Sequence, residues 1–259
     1  MTPPIAAATP LTALKPQHAL ITELQRSVRL DADQVIDGPR TITHRRPLTR
    51  GVQPVDLPTI PTGSDAEASD ADDLDAVLQR RESVRFYREQ SVDADLVARV
   101  VRAGTHADAS AWPAEVEAGL GVELLVAARR MTDAAPAVYR LTDAGFTPLA
   151  ELDDADDLVL QIEYAWSPVI LIAVVPLADS LERWGDHGER LANIRAGAAI
   201  SAALHEAAAL GLVGSPFAGF LTSGLRRLLD VDGYANAQLF AASFGHPTDG
   251  SPAFTGSHR

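Results

Sequence analysis

Residues 189–220 read ERLANIRAGAAISAALHEAAALGLVGSPFAGF, and this stretch decides the fold more than any other. Its alanines recur at three- and four-residue intervals, the spacing of one helix face, at Ala192, Ala196, Ala199, Ala203 and Ala207. Because small side chains allow close helix contact, the pattern predicts a central, buried helix over 189–210, about 33 Å long. Gly211 is well suited to end this helix.

The segments around this helix predict strands and shorter helices. An apolar run over 169–175, closed by a proline on each side, predicts a strand buried on both faces. Short runs rich in apolar residues predict further strands over 122–128, 137–141 and 237–244. Helical spacing predicts helices over 19–30, 74–81 and 93–104. The acidic segment 151–157 predicts a helix start, and Ser223 predicts the N-cap of a short helix. Strands and helices that do not alternate regularly indicate an α+β fold.

Composition divides the chain into three parts. Residues 1–70 are rich in proline, and the stretch 61–73 is small and acidic with little to bury, so we interpret this part as an N-terminal extension with a linker. Residues 71–250 carry the regular pattern and form the predicted globular domain. Residues 251–259 are predicted to be a C-terminal tail.

Charge and residue usage exclude several classes of function. The net charge of −13 disfavours binding to nucleic-acid backbones, and no apolar run is long enough for a membrane helix. The absence of cysteine excludes disulfides and thiolate ligands. Lys15 is the only lysine, so no lysine base is available in the predicted domain. We expect a cytoplasmic protein, because the first ten residues lack the pattern of a signal peptide.

Several common catalytic motifs are missing. No strand is followed by G-x-G-x-x-G, and neither G-x-x-x-x-G-K-[ST] nor G-x-S-x-G occurs. His205 and Glu206 begin like a zinc motif, but Ala209 stands where the second histidine is required. The sequence therefore gives no support to a metal site or to a nucleophile-elbow hydrolase.

Two segments remain as candidate binding elements. Arg81, Ser83 and Arg85 combine two guanidiniums and a hydroxyl that could grip a phosphate and a polyol chain. The loop 214–220 follows the long helix, and its small residues would let backbone N–H groups approach a flat ligand. Taken alone, the first could be an exposed basic helix end and the second an ordinary turn.

The order and spacing of five motifs resemble the nitroreductase-like FMN flavoproteins over about residues 74–248. The motifs are R-x-S-x-R-F at 81–86, AAPAVYRL at 134–141, RWGDHGER at 183–190, ALGLVGSPFAGF at 209–220 and LFAASFGHP at 239–247. Within that family, they are most similar to the SagB/ThcOx-type dehydrogenases, which oxidise azolines in ribosomally made peptides.

This resemblance implies a fold, an assembly and a cofactor. The family fold has a central, mostly antiparallel sheet flanked by helices, with the long helix at a homodimer interface that holds a pair of FMN molecules. By the matching motifs, Arg81, Ser83 and Arg85 would contact the FMN phosphate and ribityl chain. Four further residues would contact the flavin ring: Ser110, Pro216, Ala218 and Gly219. The segment around Ser110 departs from the family's P-S-[AG] motif.

The resemblance also implies a reaction and partners. FMN would accept a hydride from an azoline of a peptide substrate, a base would remove a proton from the neighbouring carbon, and a thiazole or oxazole would result. Dioxygen would reoxidise the flavin, and cyclodehydratase proteins are possible partners. The branch uses a Lys-Tyr pair as base, and this chain has no lysine there. The candidate substitutes are Tyr164, Asp186 and His187.

Two other functions stay open at this point. The chain could be an FMN nitroreductase or ene-reductase that uses NAD(P)H, which predicts rapid flavin reduction without a peptide. It could also be a non-catalytic scaffold of the same fold in peptide biosynthesis, which predicts no flavin.

Overall fold

A computed structural model describes residues 16–27, 38–42, 55–63, 74–153, 155–229 and 231–249. The predicted tail over 251–259, most of the predicted linker and Lys15 lie outside the described residues. The helices are α1 Pro16–Ser27, α2 Leu74–Arg80, α3 Ala94–Ala111, α4 Pro113–Glu117, α5 Ile162–Ala165, α6 Leu177–Trp184, α7 His187–Ala209 and α8 Thr222–Leu229. The strands are β1 Glu123–Ala128, β2 Ala137–Thr142, β3 Gly145–Glu151, β4 Val169–Val175, β5 Val213–Phe217 and β6 Ala237–Gly245.

The strands form one sheet of six in the order β3-β2-β1-β4-β6-β5. Every neighbouring pair is antiparallel, which confirms the predicted α+β class with an antiparallel sheet. All seven residues of β4 are buried, as the apolar run predicts. Because β4 lies between β1 and β6, it forms the centre of the core.

Helix α7 packs on one face of the sheet together with α3. It has 23 residues, and the predicted alanine face is buried along its length. Contact with α3 is close at Gly104, where an added Cβ would lie 2.7 Å from the carbonyl oxygen of Ala199. The small residues therefore set the distance between the two helices, as the sequence predicts. Among the described residues, no helix is both long and apolar enough to span a membrane.

A buried ion pair crosses the same helix interface. The Arg195 guanidinium donates to both carboxylate oxygens of Asp108 at 2.8 and 2.7 Å, and their side chains are only 3% and 2% exposed. Asp108 also accepts the backbone N–H of Val122 at 2.9 Å. The arginine lies over the Trp112 ring, 5.8 Å from its centroid. This pair ties α7, α3 and the start of β1 together.

The opposite face of the sheet is covered by α5, α8 and the segment before α5. Leu158, Leu225 and Leu229 are fully buried there against β4 and β6. This second core layer brings Tyr164 of α5 beside Phe217 of β5.

The structure corrects several element predictions. Residues 151–157 do not begin a helix, because Glu151 ends β3 and pairs with Ala137. The helix from position 93 continues past Gly104 to Ala111, since that glycine is needed for contact with α7. Ser223 lies inside α8 rather than capping it. Strand β5 lies where a loop is predicted over 214–217.

Parts of the proline-rich extension pack on the domain. Ile60 exchanges two backbone hydrogen bonds with Phe146 of the edge strand β3, at 3.0 and 2.9 Å. Arg40 donates its N–H to the carbonyl of Arg183 at 2.9 Å. These contacts cover one edge of the sheet and the end of α6, so the extension is folded against the globular domain at Arg40 and Ile60.

Candidate functional site

The two candidate binding segments meet at the β5 edge of the sheet. Ser83 forms a parallel bridge with Gly214, and the N–H of Val84 donates to the carbonyl of Gly214 at 3.1 Å. An added Cβ at Gly214 would lie 2.6 Å from the carbonyl oxygen of Ser243, so the absence of a side chain there permits this packing. The bridge places the segment 81–85 beside the start of β5.

A row of ring contacts connects Arg85 to the loop after β5. Its guanidinium carbon lies 5.5 Å from the centroid of the Tyr164 ring. The Tyr164 ring stacks on Phe217 at 4.0 Å with an interplanar angle of 13°, and Phe217 packs on Phe220 at 5.3 Å. The arginine of the first motif is thereby held close to the residues that precede Ala218.

Buried hydroxyl groups lie beneath this stack. The Tyr164 hydroxyl lies 3.4 Å from Ser215 Oγ. Ser215 is the register partner of Ser243 on β6, and Ser243 Oγ lies 2.7 Å from the Tyr87 hydroxyl. Burial raises the pKa of Tyr87 above its ordinary range, with Ser243 acting in the opposite direction. Tyr87 therefore stays protonated, and its hydroxyl donates to the carbonyl of Val84 at 2.7 Å.

The loop after β5 is fixed by the segment before α5. Leu160 donates its N–H to the carbonyl of Gly219 at 2.8 Å, and Leu221 donates to Leu158 at 2.9 Å. Within the described part of the chain, no hydrogen bond occupies the N–H groups of Ala218 and Gly219. Ala218 is exposed. The loop therefore offers two backbone donors from a fixed position.

Arg85 also has its hydrogen-bond donors available. It is exposed, and no described residue supplies it with a carboxylate or any other hydrogen-bond acceptor. Arg183, in contrast, donates to both oxygens of Glu115. Since an unpaired arginine can bind an anion in bidentate fashion, Arg85 and the loop N–H groups are together a candidate site for an elongated ligand with an anionic end.

Three of the predicted site residues have no contact with Arg85, Tyr164 or the β5 loop in the part of the chain that the structure describes. Ser110 is near the end of α3, with its Oγ 3.2 Å from His106 Nε2. Asp186 and His187 begin α7, and the length of that helix separates them by about 33 Å from its last residue, which precedes β5. Among the described residues, no contact joins these three side chains to Arg85, Tyr164 or the β5 loop.

The predicted residue Pro216 lies at the site, together with Ser215 and Phe217, which the sequence does not identify. Pro216 lies in β5 opposite Ala242. Phe217 and Ser215, which the sequence reasoning did not assign as site residues, hold Tyr164 by stacking and by its hydroxyl. Their alternation in the sequence, with both side chains on one face of a strand, is the signal that could have identified them.

A protein-family comparison matches the part of the chain that contains both candidate binding segments. The model of the family described as "Nitroreductase family" matches residues 78–246, which spans both motifs of the site. No curated protein sequence matches the chain.

Two of the following solved structures share the fold at low sequence identity, and a third has a lower structural similarity. An assigned nitroreductase from Ralstonia eutropha has a TM-score of 0.58 and 15% identity, over 82% of this chain and 99% of that one. An assigned nitroreductase from Anabaena variabilis has a TM-score of 0.57 and 15% identity, over 68% of this chain but only 38% of that one. An assigned nitroreductase from Desulfovibrio desulfuricans, crystallised with FMN, has a TM-score of 0.43 and 18% identity, over 72% and 91%.

Proposed function

Since the chain belongs to the nitroreductase family, we propose that it is an FMN-dependent oxidoreductase. The observation that carries this proposal is the meeting of Arg85, with its unused donors, and the open N–H groups of Ala218 and Gly219 at one sheet edge. A long ligand with a phosphate at one end and a flat heterocycle at the other matches both groups.

The residues of the site fit the parts of FMN. Arg85 and Arg81 would hold the phosphate, and the exposed Ser83 hydroxyl would bind the ribityl chain. The N–H groups of Ala218 and Gly219 would donate to the polar edge of the flavin ring, with Pro216 against the ring. Bound FMN supplies hydride transfer, while the protein supplies orientation and electrostatics.

We assign the finer reaction to azoline oxidation in a ribosomally made peptide. The motifs at 134–141, 183–190 and 239–247 support it, because they resemble the azoline dehydrogenase branch. The substrate would lose a hydride from one ring carbon and a proton from its neighbour, leaving an aromatic thiazole or oxazole, and dioxygen would be the final electron acceptor. The exposed and apolar Leu160, Ile162 and Trp166 would contact the peptide beside the loop.

The base for this reaction belongs to the start of α7. Tyr164 is only 2% exposed and its hydroxyl faces Ser215, so it is poorly placed to receive a proton from a substrate. Asp186 is exposed and His187 partly exposed, and histidine is a natural base near neutral pH. Because no contact among the described residues of one protomer joins them to Arg85 or the β5 loop, we propose that they act in a homodimer in which a second copy brings its own α7 to the site.

Spectroscopy of the purified protein tests the proposed function. We expect a yellow protein, or one that becomes yellow with FMN, whose flavin is reduced by an azoline-containing peptide and only slowly by NAD(P)H. A colourless protein that does not bind added FMN would contradict the proposal and leave the scaffold function. Cyclodehydratase proteins are the partners to test for peptide delivery.

The alternative is an NAD(P)H-dependent nitroreductase or ene-reductase. One observation favours it: the chain has no lysine after Lys15, and so lacks the base of the dehydrogenase branch. Rapid loss of the flavin absorbance on addition of NAD(P)H, with no peptide present, would select this alternative. Stopped-flow mixing with NADH, NADPH and peptide in parallel separates the two functions.

A further inference from the structure

Arg85 is an exposed side chain, and a long exposed side chain would ordinarily sample many rotamers. Here its guanidinium lies over the Tyr164 ring at 5.5 Å, within the range in which a cation is attracted to an aromatic face. The ring lies on one side of the guanidinium, and no described residue accepts a hydrogen bond from the N–H groups of Arg85, so these donors are available to a ligand.

The Tyr164 ring is itself held rigidly. It is 2% exposed, stacks on Phe217, and places its hydroxyl beside Ser215. The short helix α5 that carries it is fastened at its end, where Arg129 donates to the carbonyl of Ala165 at 3.0 Å. Arg130 donates to the carbonyl of Trp166 at 3.1 Å. The ring is therefore a fixed surface.

We propose that Tyr164 is a positioning residue whose ring orients the Arg85 guanidinium toward the phosphate of FMN. The inference rests on the proposed function. Its physical content is entropic, because an arginine already restrained in its binding orientation loses less rotamer freedom when the anion arrives. The aromatic face carries the effect, and the hydroxyl contributes little to it.

Flavin titrations of five proteins test this role, with FMN and riboflavin as ligands and quenching of flavin fluorescence as the readout. Riboflavin lacks the phosphate and so reports the ring site alone. The proteins are the wild type, Tyr164→Leu, Arg85→Ala and the double variant. Tyr164→Phe, which keeps the ring, is the matched control.

We expect Tyr164→Leu to raise the Kd for FMN about tenfold, as loss of roughly 1.4 kcal/mol would, and to change the Kd for riboflavin less than about twofold. The double variant should bind FMN no more than about twofold more weakly than Arg85→Ala, because both changes remove one interaction. Tyr164→Phe should bind FMN like the wild type.

Three results would overturn the inference. Equal weakening of FMN and riboflavin by Tyr164→Leu would mean that the ring only supports the local fold. Additive losses in the double variant would mean that Tyr164 acts independently of Arg85. An effect of Tyr164→Phe as large as that of Tyr164→Leu would assign the role to the hydroxyl. In each case wild-type FMN binding would leave the proposed function intact, whereas a wild type that binds no FMN would refute both.

Discussion

Arg195 and Arg85 both lie over aromatic rings, yet they use their charges in opposite ways. Arg195 is 5.8 Å from the Trp112 ring and gives its donors to the buried Asp108. Arg85 is 5.5 Å from the Tyr164 ring and, among the described residues, has no acceptor for its donors. The first is enclosed between two helices, and the second is exposed at the sheet edge.

The difference shows how to separate a structural arginine from a binding arginine. A buried guanidinium must find its acceptor inside the protein, because leaving it unpaired would be too costly. An exposed guanidinium is hydrated, so its donors can remain open until an anion replaces water. The same cation–π geometry therefore supports the fold at Arg195 and prepares a ligand site at Arg85.

The largest expected effect is on stability at the buried pair. Arg195→Leu leaves the Asp108 carboxylate buried without its cation, so the free energy of unfolding should fall by about 3–5 kcal/mol. Chemical denaturation monitored by circular dichroism measures the loss. The double change Arg195→Leu with Asp108→Leu is the control, and it should recover part of the stability. A loss below about 1 kcal/mol for the single change would contradict the structural role.

Arg85→Ala should weaken FMN binding and leave the stability of the fold nearly unchanged. Loss of a charge-assisted hydrogen bond worth about 1.5–3 kcal/mol should raise the Kd for FMN roughly 10- to 150-fold, while the unfolding midpoint changes little. Equilibrium dialysis against FMN and a denaturation curve of the apo-protein measure the two quantities. Unchanged flavin occupancy would show that Arg85 does not hold the phosphate.

Salt should distinguish the two arginines without any mutation. Exposed charges are screened over about 8–10 Å at 0.1–0.15 M salt, and buried pairs much less. Raising NaCl from low to high concentration should weaken FMN binding by the wild type but leave the destabilisation caused by Arg195→Leu nearly constant. A salt-independent Kd for FMN would argue against an exposed phosphate contact.

The smallest effect is expected at Asp232, whose charge is stabilised mainly by backbone N–H groups, with the Arg226 guanidinium acting in the same direction. Burial acts to raise its pKa, but donors from Tyr234, Ala235 and Asn236 lower it below the ordinary value overall. Its contribution is therefore present above the unfolded-state pKa and is lost as the pH falls through the lower native pKa. Asp232→Ala should cost about 1 kcal/mol at neutral pH.

Denaturation curves at several pH values check this prediction. The stability difference between wild type and Asp232→Ala should shrink as the pH falls below about 4. A difference that does not depend on pH would show that the carboxylate charge is unimportant there.

The sequence predicted the elements whose pattern is local. The alanine spacing identified α7, and the apolar run identified β4. At β5 the local composition predicts a loop, because Gly214 and Pro216 disfavour strands, and the pairing with β6 makes this segment a strand. The sequence does not predict β3 for a similar reason, since β3 contains Gly145 and Pro148.

The sequence motifs predict which segments form the candidate site, but they do not predict which side chains touch there. The R-x-S-x-R motif and the small-residue loop marked Arg85 and Gly219. Nothing local in the sequence indicates that Tyr164 would lie under Arg85, or that Arg195 would pair with Asp108 across 87 positions. Such contacts depend on how helices and strands pack, and a spacing pattern within one element does not contain that information.

A crystal structure of the protein grown with FMN is the most direct test of the central claim, that Arg85 and the β5 loop form one cofactor site. The account predicts the phosphate within hydrogen-bond distance of the Arg85 guanidinium and the flavin ring edge at the N–H groups of Ala218 and Gly219. FMN bound away from both, or Arg85 turned away from Tyr164 with the flavin in place, would contradict it.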